Sequence, residues 1–415
     1  MREMKDSGIE WIGDIPVYWK IMPNKYLMRK EKKICPVYHG EDILSLTMKG
    51  VIVRDLDAGG KMPASFDGYQ RLEAGNLLMC LFDIDVTPRC VGLIKQAGVS
   101  SPAYSQFVLR KGADAAYYCY YYTMLDNDKT LLHLAKNLRH SLTEDQLGAI
   151  PVIVPPIEEQ QRIADFLDTK CAEIDALTAD IQTQIDTLEQ YKRSVITETV
   201  TKGLNPNAEM KDSGIEWVGK MPLAWDAVPN KYLMYKVKNI CPVYNGEDIL
   251  SLTTNGVIIR DLNGGGKMPT SFDGYQKVTP GNLLMCLFDI DVTPRCIGLV
   301  KNFGLTSPAY SQFVMRTGAY APYYYYYYLM VDYTKELLHM AKNLRHSLTE
   351  DQLGAIKAPN PPYEEQVQIA EFLDKKCVEI NLVIEDKNRQ LATLDEYKKS
   401  LIFEYVTGKK EVPTS

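Results

Sequence analysis

The sequence lacks several features that would assign it to a familiar class. No apolar run approaches the roughly 18 residues of a membrane-spanning helix. The first residues show no basic stretch followed by an apolar one, so the expected compartment is the cytoplasm. Histidine is scarce, with five residues, and no CxxC pair occurs, which argues against a zinc site. Short motifs of serine hydrolases, metalloproteases, P-loop NTPases and dinucleotide-binding enzymes are also absent.

Basic residues are not in excess either. The chain has 47 basic and 53 acidic residues, which gives a net charge of −6 and a pI near 5.6. Taken as a whole, this acidity counts against nucleic-acid binding, for which a basic patch is expected. Hydrophobic residues make up 46% of the chain, which argues against disorder. At roughly 100–200 residues per domain, its length predicts two to four domains.

The main feature that is present is an internal repeat with an offset of 206 residues. The segment MKDSGIEWIG at Met4 recurs as MKDSGIEWVG at Met210, and the offset continues to the end without a gap. Between Lys61 and Gly92 the two copies differ at six of 32 positions. A period this long indicates duplicated domains and not a solenoid of short units. Two equivalent bodies on one chain suggest a target with two equivalent halves.

Each copy combines a globular segment with a long helix. Short apolar runs separated by glycine turns predict mixed α and β structure up to residue 154. After Pro155-Pro156, apolar residues recur every seven positions as in a coiled coil; they are Leu167, Ile174, Ile181, Leu188 and Val195. Alone, such a helix is typical of a scaffold or dimerisation element. The predicted domains are 1–154, 155–205, 206–360, 361–408 and a tail, 409–415.

One tetrapeptide is typical of catalysis. Asn360–Tyr363 spells NPPY, the motif with which adenine-N6 methyltransferases hold a flipped base. The equivalent segment of the first copy, Val154–Ile157, lacks the asparagine and the tyrosine. Both segments lead directly into Glu-Glu-Gln and the long helix, so we interpret the prolines as a helix start. An adenine-N6 DNA methyltransferase remains an alternative function.

The order of these segments resembles the specificity subunits of type I restriction–modification systems. The pattern PPxxEQxxIxxFLD, followed by a long helix, occurs twice, at Pro155–Gly203 and at Pro361–Gly408. The resemblance covers essentially the whole chain. It implies an α+β protein with two tandem target recognition domains, each followed by a long helix. The two helices would pair as an antiparallel coiled coil with pseudo-twofold symmetry.

The resemblance also implies a function without catalysis in this chain. Each recognition domain would read one half of a bipartite, gapped sequence in double-stranded DNA, and the helices would set the spacing. Two modification subunits would supply adenine-N6 methylation with S-adenosylmethionine. Up to two restriction subunits would use ATP and magnesium. This chain would need no cofactor or metal of its own. A coiled-coil scaffold that does not read DNA is the other alternative.

The near-identity of the copies departs from the usual pattern, because specificity subunits generally carry two dissimilar recognition domains. Two nearly identical domains related by a twofold axis predict two half-sites of the same, or nearly the same, inverted sequence. Acidic residues on the long helices would account for the negative net charge. We expect the isolated chain to bind DNA weakly and with a steep salt dependence.

Three segments of each domain carry groups able to contact base edges or phosphates beside turn residues. The candidates in them are Lys61, Asp85, Thr87, Arg89, Tyr104, Ser105 and Gln106, with Lys267, Asp291, Thr293, Arg295, Tyr310, Ser311 and Gln312. Each segment also has a structural interpretation: a solvated turn, an internal Asp–Arg pair and a strand entry. Arg139 and Arg345 could bind phosphate or belong to a helix cap.

Other conspicuous residues are predicted to be structural. The tyrosine runs of residues 117–122 and 323–328 are expected to pack inside a helix and not to stack on bases. The nine cysteines are expected to be reduced and mostly buried. His133 and His339 lie in an apolar helical stretch, which predicts that they pack in the core.

Overall fold

The structure is a computed structural model, and it describes residues 2–57, 63–135, 140–262, 269–341 and 346–413. The chain divides into two compact units, Met1–Ile181 with Asn388–Ser415, and Gln182–Lys387. Each unit contains one globular domain, the first part of the long helix that follows it, and the last part of the other long helix. The unit boundaries therefore lie inside the long helices and not at the ends of the globular domains.

The two units contain equivalent elements. In the first unit the strands are β1 (Met4–Asp6), β2 (Asp14–Pro16), β3 (Lys20–Pro23), β4 (Met28–Glu31), β5 (Leu44–Thr47), β6 (Gly50–Val53), β7 (Gln70–Leu72), β8 (Leu77–Met79), β9 (Val91–Leu93), β10 (Gly98–Ser100), β11 (Ser105–Leu109) and β12 (Pro151–Val154). Its helices are α1 (Ala115–Asn127), α2 (Thr130–Leu134), α3 (Glu144–Ala149) and the first part of α4 (Ile157–Lys202).

The second unit continues the same order. Its strands are β13 (Met210–Asp212), β14 (Lys220–Pro222), β15 (Asp226–Pro229), β16 (Met234–Val237), β17 (Leu250–Thr253), β18 (Gly256–Ile259), β19 (Gln276–Val278), β20 (Leu283–Met285), β21 (Ile297–Leu299), β22 (Gly304–Thr306), β23 (Ser311–Met315) and β24 (Lys357–Asn360). Its helices are α5 (Ala321–Tyr333), α6 (Glu336–Met340), α7 (Glu350–Ala355) and the first part of α8 (Tyr363–Val406). The predicted α+β class is confirmed. The two long helices begin and end within three residues of the predicted bounds.

A four-stranded antiparallel sheet forms the centre of each globular domain. Its order is β4-β11-β8-β9 in the first unit and β16-β23-β20-β21 in the second. Every residue of β8 is buried, which explains why this strand reads as a continuous apolar run. Met79 at the end of β8 pairs with both Ser105 and Val91. The β8–β9 turn and the segment before β11 therefore meet at one end of the sheet.

Helix α1 packs its tyrosines into the core, as predicted. Tyr117, Tyr118, Tyr121 and Tyr122 are each fully buried. A buried hydroxyl needs a partner, and Tyr118 donates to the carbonyl of Ile153 at 3.1 Å. Their packing leaves none of these four rings exposed for base stacking.

The predicted core position of His133 and His339 is wrong. Both residues lie on exposed faces of their short helices, α2 and α6. In each of these helices the leucine two residues earlier, Leu131 or Leu337, is buried instead. A five-residue helix gives too short a pattern for the sequence to indicate which side faces the core.

Buried polar side chains fix the start of each long helix to its globular domain. The Oε1 of Gln160 accepts the backbone N–H of Asp114 at 2.8 Å, and its Nε2 donates to the carbonyls of Pro155 and Gly112 at 2.8 and 3.2 Å. Glu159 accepts the indole N–H of Trp19 at 2.9 Å. Gln366 and Glu365 make the equivalent contacts in the second unit. The Glu-Gln pair of the repeated motif is therefore an anchor for the helix.

Within each unit, two helix segments run antiparallel. In the first unit the ring of Phe166 lies 4.4 Å from that of Tyr405, and Lys398 pairs with Asp175 at 2.6 Å. In the second unit Lys192 donates to Asn381 at 2.7 Å, and Lys387 donates to Gln184. The residue numbers rise along one segment as they fall along the other. The predicted antiparallel pairing is therefore present in both units.

We predict that Gln160→Ala destabilises the first unit by about 2–4 kcal/mol, because it leaves the N–H of Asp114 and two carbonyls without their partner. The measurement is chemical denaturation of the purified chain. Gln161→Ala, at the exposed neighbouring position, is the matched control and should have little effect. Equal losses from the two variants would contradict the anchoring role.

Candidate nucleic-acid interface

The turn between β8 and β9 carries three of the predicted contact residues, and it has a fixed shape. Asp83 adopts a left-handed conformation with a φ of 46°. Its carbonyl accepts the N–H of Val86 at 3.1 Å, and the N–H and hydroxyl of Thr87 at 2.9 and 2.8 Å. Ile84 is fully buried beneath the turn. This turn, residues 82–89, is called the β8–β9 turn below, and its equivalent is the β20–β21 turn, residues 288–295.

Asp85 is held by a histidine from another segment. His140 Nδ1 lies 3.0 Å from Asp85 Oδ2, and in the second unit His346 Nδ1 lies 2.9 Å from Asp291 Oδ2. The hydrogen bond from His140 lowers the pKa of the Asp85 carboxyl, and His346 lowers the pKa of Asp291 in the same way. The Asp85 and His140 side chains are partly exposed. The pair therefore presents a carboxylate and an imidazole at the surface.

Arg89 supports the turn from inside the domain. It donates to Asn127 at 2.9 Å and to Asp126 Oδ2 at 3.3 Å. Asp126 is 2% exposed and also accepts the N–H of Cys90 at 3.1 Å. These contacts favour the internal Asp–Arg pair over a base contact by Arg89.

The second unit builds the same support with a different neighbour. Arg295 Nε lies 3.6 Å from Asp332 Oδ2, and its guanidinium lies over the ring of Tyr333. Tyr333 occupies the position of Asn127. Lys335 pairs with Asp332 at 2.8 Å, as Lys129 does with Asp126 at 3.8 Å. The buried carboxylate and its two cationic partners are therefore the shared part of the support.

The residues at the start of β11 range from half-buried to fully buried. Tyr104 is half-buried, with its ring 6.2 Å from that of Phe82 in the β8–β9 turn. Gln106 is fully buried and its Oε1 accepts the N–H of Glu73 at 2.8 Å. Ser105, Ser311 and Gln312 are also buried. The burial argues against DNA contact by these two serines and two glutamines.

A concave surface of about 310 Å³ lies beside the β20–β21 turn in the second unit. It is bounded by the tip of the β17–β18 hairpin, with Thr253 and Thr254, and by Val292 and Thr293 of the turn. Tyr310 forms another side, stacked against Phe288 at a ring distance of 6.4 Å. This surface combines hydroxyl groups, an aromatic ring and an exposed aliphatic side chain.

The remaining candidates are outside the part of the chain that the structure describes. They are Lys61, Lys267, Arg139 and Arg345. Arg139 immediately precedes His140, and Arg345 immediately precedes His346. Contacts of these four side chains with DNA remain predictions.

Sequence reasoning missed two kinds of residue. The first is Val86, with Val292: these side chains at the tips of the turns are 74% and 72% exposed. An apolar residue between polar ones in a turn, identical in both copies, was the signal available. The second is Asp126, with Asp332, which gave no signal because it lies 37 residues from Arg89 in sequence.

The NPPY segment has a structural role. Pro361 and Pro362 precede Tyr363, the first residue of α8. The Asn360 side chain accepts the hydroxyl of Tyr324 at 2.9 Å and the amide of Gln366 at 3.2 Å. These contacts use the oxygen that a methyltransferase would offer to adenine, and they support the interpretation as a helix start.

The remaining features concern metal ligands, cysteines and membrane-spanning helices. Within the described residues there is no cluster of three or more His, Cys, Asp or Glu able to hold a metal ion. All nine cysteines are free and eight are buried, as predicted. No helix in the described ranges combines the length and apolarity needed to span a membrane.

Comparisons with known proteins agree with the predicted family. Residues 91–187 match the family described as type I restriction modification DNA specificity domain. The MjaVIII type I restriction enzyme specificity subunit of Methanocaldococcus jannaschii is 26% identical over 284 residues, 63% of each chain. The MjaX specificity subunit of that organism is 25% identical over 295 residues, covering 66% of this chain and 62% of the relative. The matched segments thus span less than two thirds of the relatives' lengths.

A solved structure shares the fold. A chain from a study of complex assembly and conformational transition of the type I R-M system matches with a TM-score of 0.70 and 13% identity. The match covers 95% of this chain and 99% of that one. The predicted resemblance to specificity subunits is confirmed by the family match and the two relatives, and the predicted fold by this structure.

We predict that His140→Phe raises the pKa of Asp85 toward its ordinary value of about 3.9, because the hydrogen bond that lowers it is lost. Since the folded pKa is lowered, the pair contributes stability at neutral pH and loses it as the pH falls through that pKa. The measurement is a carboxyl ¹³C titration. Asp291, which keeps His346, is the internal control. An unchanged pKa at Asp85 would contradict the assignment.

We also predict that Asp126→Asn loosens the β8–β9 turn and lowers the free energy of unfolding by about 1–3 kcal/mol, because charge-assisted hydrogen bonds are lost. Hydrogen exchange of the amides of residues 84–90 should accelerate. The control is Asp128→Asn at an exposed position two residues further along. Unchanged exchange in the Asp126 variant would show that the carboxylate does not hold the turn.

Proposed function

We propose that this relative of type I specificity subunits is the DNA sequence-recognition subunit of a type I restriction–modification complex. Each globular domain reads one half of a bipartite, gapped target in double-stranded DNA. The chain itself catalyses no reaction and binds no cofactor. Its modification partners, two methyltransferase subunits, use S-adenosylmethionine, and restriction subunits, where they join, use ATP and magnesium.

The observation that carries this proposal is the duplicated turn. Residues 82–90 and 288–296 have the same sequence, FDIDVTPRC, and the same supports: a left-handed aspartate, an Asp–His pair and a buried carboxylate. Sequence is read by side chains that a scaffold presents in a fixed geometry. Two turns with the same geometry are suited to recognise two copies of the same short DNA sequence.

Identical readers lead to a specific kind of target. We propose half-sites with the same, or nearly the same, sequence in inverted orientation around an unspecified spacer. The antiparallel course of the helix segments within each unit supports the inversion, since twofold symmetry in a protein is matched by a palindrome in DNA. The long helices set the spacer length and dock the methyltransferase subunits in this proposal.

The copies differ at places that a shared target would tolerate. Lys49 corresponds to Asn255 at the hairpin tip, and Arg71 corresponds to Lys277. If both halves of the target are the same, these side chains do not select bases. The identical residues of the two turns are better candidates, with Asp85 and Thr87 the polar groups among them.

Methylome sequencing tests the proposal in a host that expresses this chain with its modification subunit. We expect adenine-N6 methylation at one bipartite motif whose halves are the same sequence inverted. Two unrelated half-sites would contradict the near-palindrome. Methylation that does not depend on this chain would contradict the recognition function.

A second arm separates recognition from a scaffold role and from catalysis. Gel shift of the methyltransferase complex is compared with and without this chain, and only the complete complex should bind the motif specifically. The pure chain mixed with target DNA and labelled S-adenosylmethionine should transfer no methyl group. Asp85→Asn with Asp291→Asn should weaken binding to the motif, whereas Glu158→Gln with Glu364→Gln, on the long helices, should not.

A further inference from the structure

The tips of the two turns share an unusual exposed side chain. Among the large hydrophobic residues that the structure describes, the three highest exposures belong to Val86 at 74%, and to Val292 and Phe303 at 72% each. Phe303 has no counterpart, since the first copy has Ala97 at that position. The valine is therefore the only one of these most exposed hydrophobic residues that occurs at the same position in both domains.

The valine is held in place. Its N–H donates to the carbonyl of the left-handed aspartate, at 3.1 Å in the first unit and 3.2 Å in the second. Ile84 and Ile290, two residues before the valine, are buried, and the N–H of the following threonine donates to the same carbonyl at 2.9 Å in both units. A β-branched side chain on such a turn has few rotamers. Each domain thus presents an exposed valine side chain with few rotamers, and the backbone N–H of that valine is already hydrogen-bonded within the turn.

The exposed valine side chain matches one chemical feature of DNA. Valine offers only methyl groups, so it cannot hydrogen-bond to a base edge. In the major groove, thymine alone among the four bases presents an apolar group, its 5-methyl, and aliphatic side chains recognise it by direct contact. The minor groove presents no such group. The chemistry of the tip therefore selects a thymine read from the major groove.

We propose that Val86 and Val292 contact the 5-methyl group of one thymine in each half-site and select an A·T pair there. This assignment rests on the proposed function. Asp85 and Thr87 flank the valine and act on neighbouring base pairs. Because the two tips are equivalent, the selected thymine occupies the same place in both half-sites.

The test replaces thymine by deoxyuridine, which pairs identically but lacks the methyl group. Once the motif is known from methylome sequencing, each thymine of a half-site is replaced singly, and binding of the complete methyltransferase complex is measured. Removing one buried methyl group should weaken binding about fourfold at one position per half-site. The other thymines should respond less.

Matched variants assign that response to the valine. In Val86→Ser with Val292→Ser, deoxyuridine and thymine at the sensitive position should bind equally. In Val37→Ser with Val243→Ser, another equivalent pair of exposed valines at 53% and 59% exposure, the fourfold response should persist. Thermal unfolding should be the same for all of these chains, since the substituted side chains are exposed.

Several results would overturn the assignment. They are a half-site without thymine, no position sensitive to deoxyuridine, or a response that survives in Val86→Ser with Val292→Ser. In each of these cases the complex would still methylate a bipartite motif, so the proposed function would stand. Loss of all motif-dependent methylation in the unaltered complex would instead remove the proposed function.

Discussion

The structure depends on a pair of buried polar side chains at the start of each long helix. Glu159 and Gln160, with Glu365 and Gln366, are at most partly exposed and hold backbone groups and an indole of the globular domain. A buried polar group without its partner is costly, so these contacts allow one orientation of helix and domain. The repeated motif therefore starts the long helix and also fixes its orientation relative to the globular domain. Without that fixed orientation, a helix of 46 residues would not hold the β8–β9 turn in one position relative to its axis.

A small number of contacts also fixes the shape of the two turns. A buried carboxylate, an Asp–His pair and one left-handed residue hold a short segment whose tip is exposed. The supports behind the turn differ between copies, with Asn127 in one and Tyr333 in the other, whereas the turn itself is unchanged. The copies differ beside the buried carboxylate and at the neighbouring hairpin tip, where Lys49 corresponds to Asn255, but not in the turn itself.

Sequence reasoning predicted what depends on local pattern. The helix bounds followed from the prolines, the seven-residue repeat and the terminal glycines, and the tyrosine packing followed from a run of large side chains in a helix. Arg89 and Gln106 could not be placed in this way. Their partners Asp126 and Asn76 lie 30 or more residues away in sequence, and only the fold brings them together. A polar side chain that looks like a DNA contact in the sequence can instead bind a residue distant in sequence and stabilise the domain from inside. The exposed valine was overlooked for the opposite reason, because apolar residues are expected inside.

The acidity of the chain can now be located. Helix α4 carries ten acidic and five basic residues, and α8 carries ten acidic and six basic. Since the whole chain has a net charge of −6, the residues outside these helices carry a net charge of +3. Exposed charges further apart than about 8 Å are largely screened at physiological salt. The modest positive charge of the residues outside these helices therefore acts on DNA only at short range and provides weak attraction. In the proposed complex, strong binding would come from partner subunits, and this chain would contribute the choice of sequence.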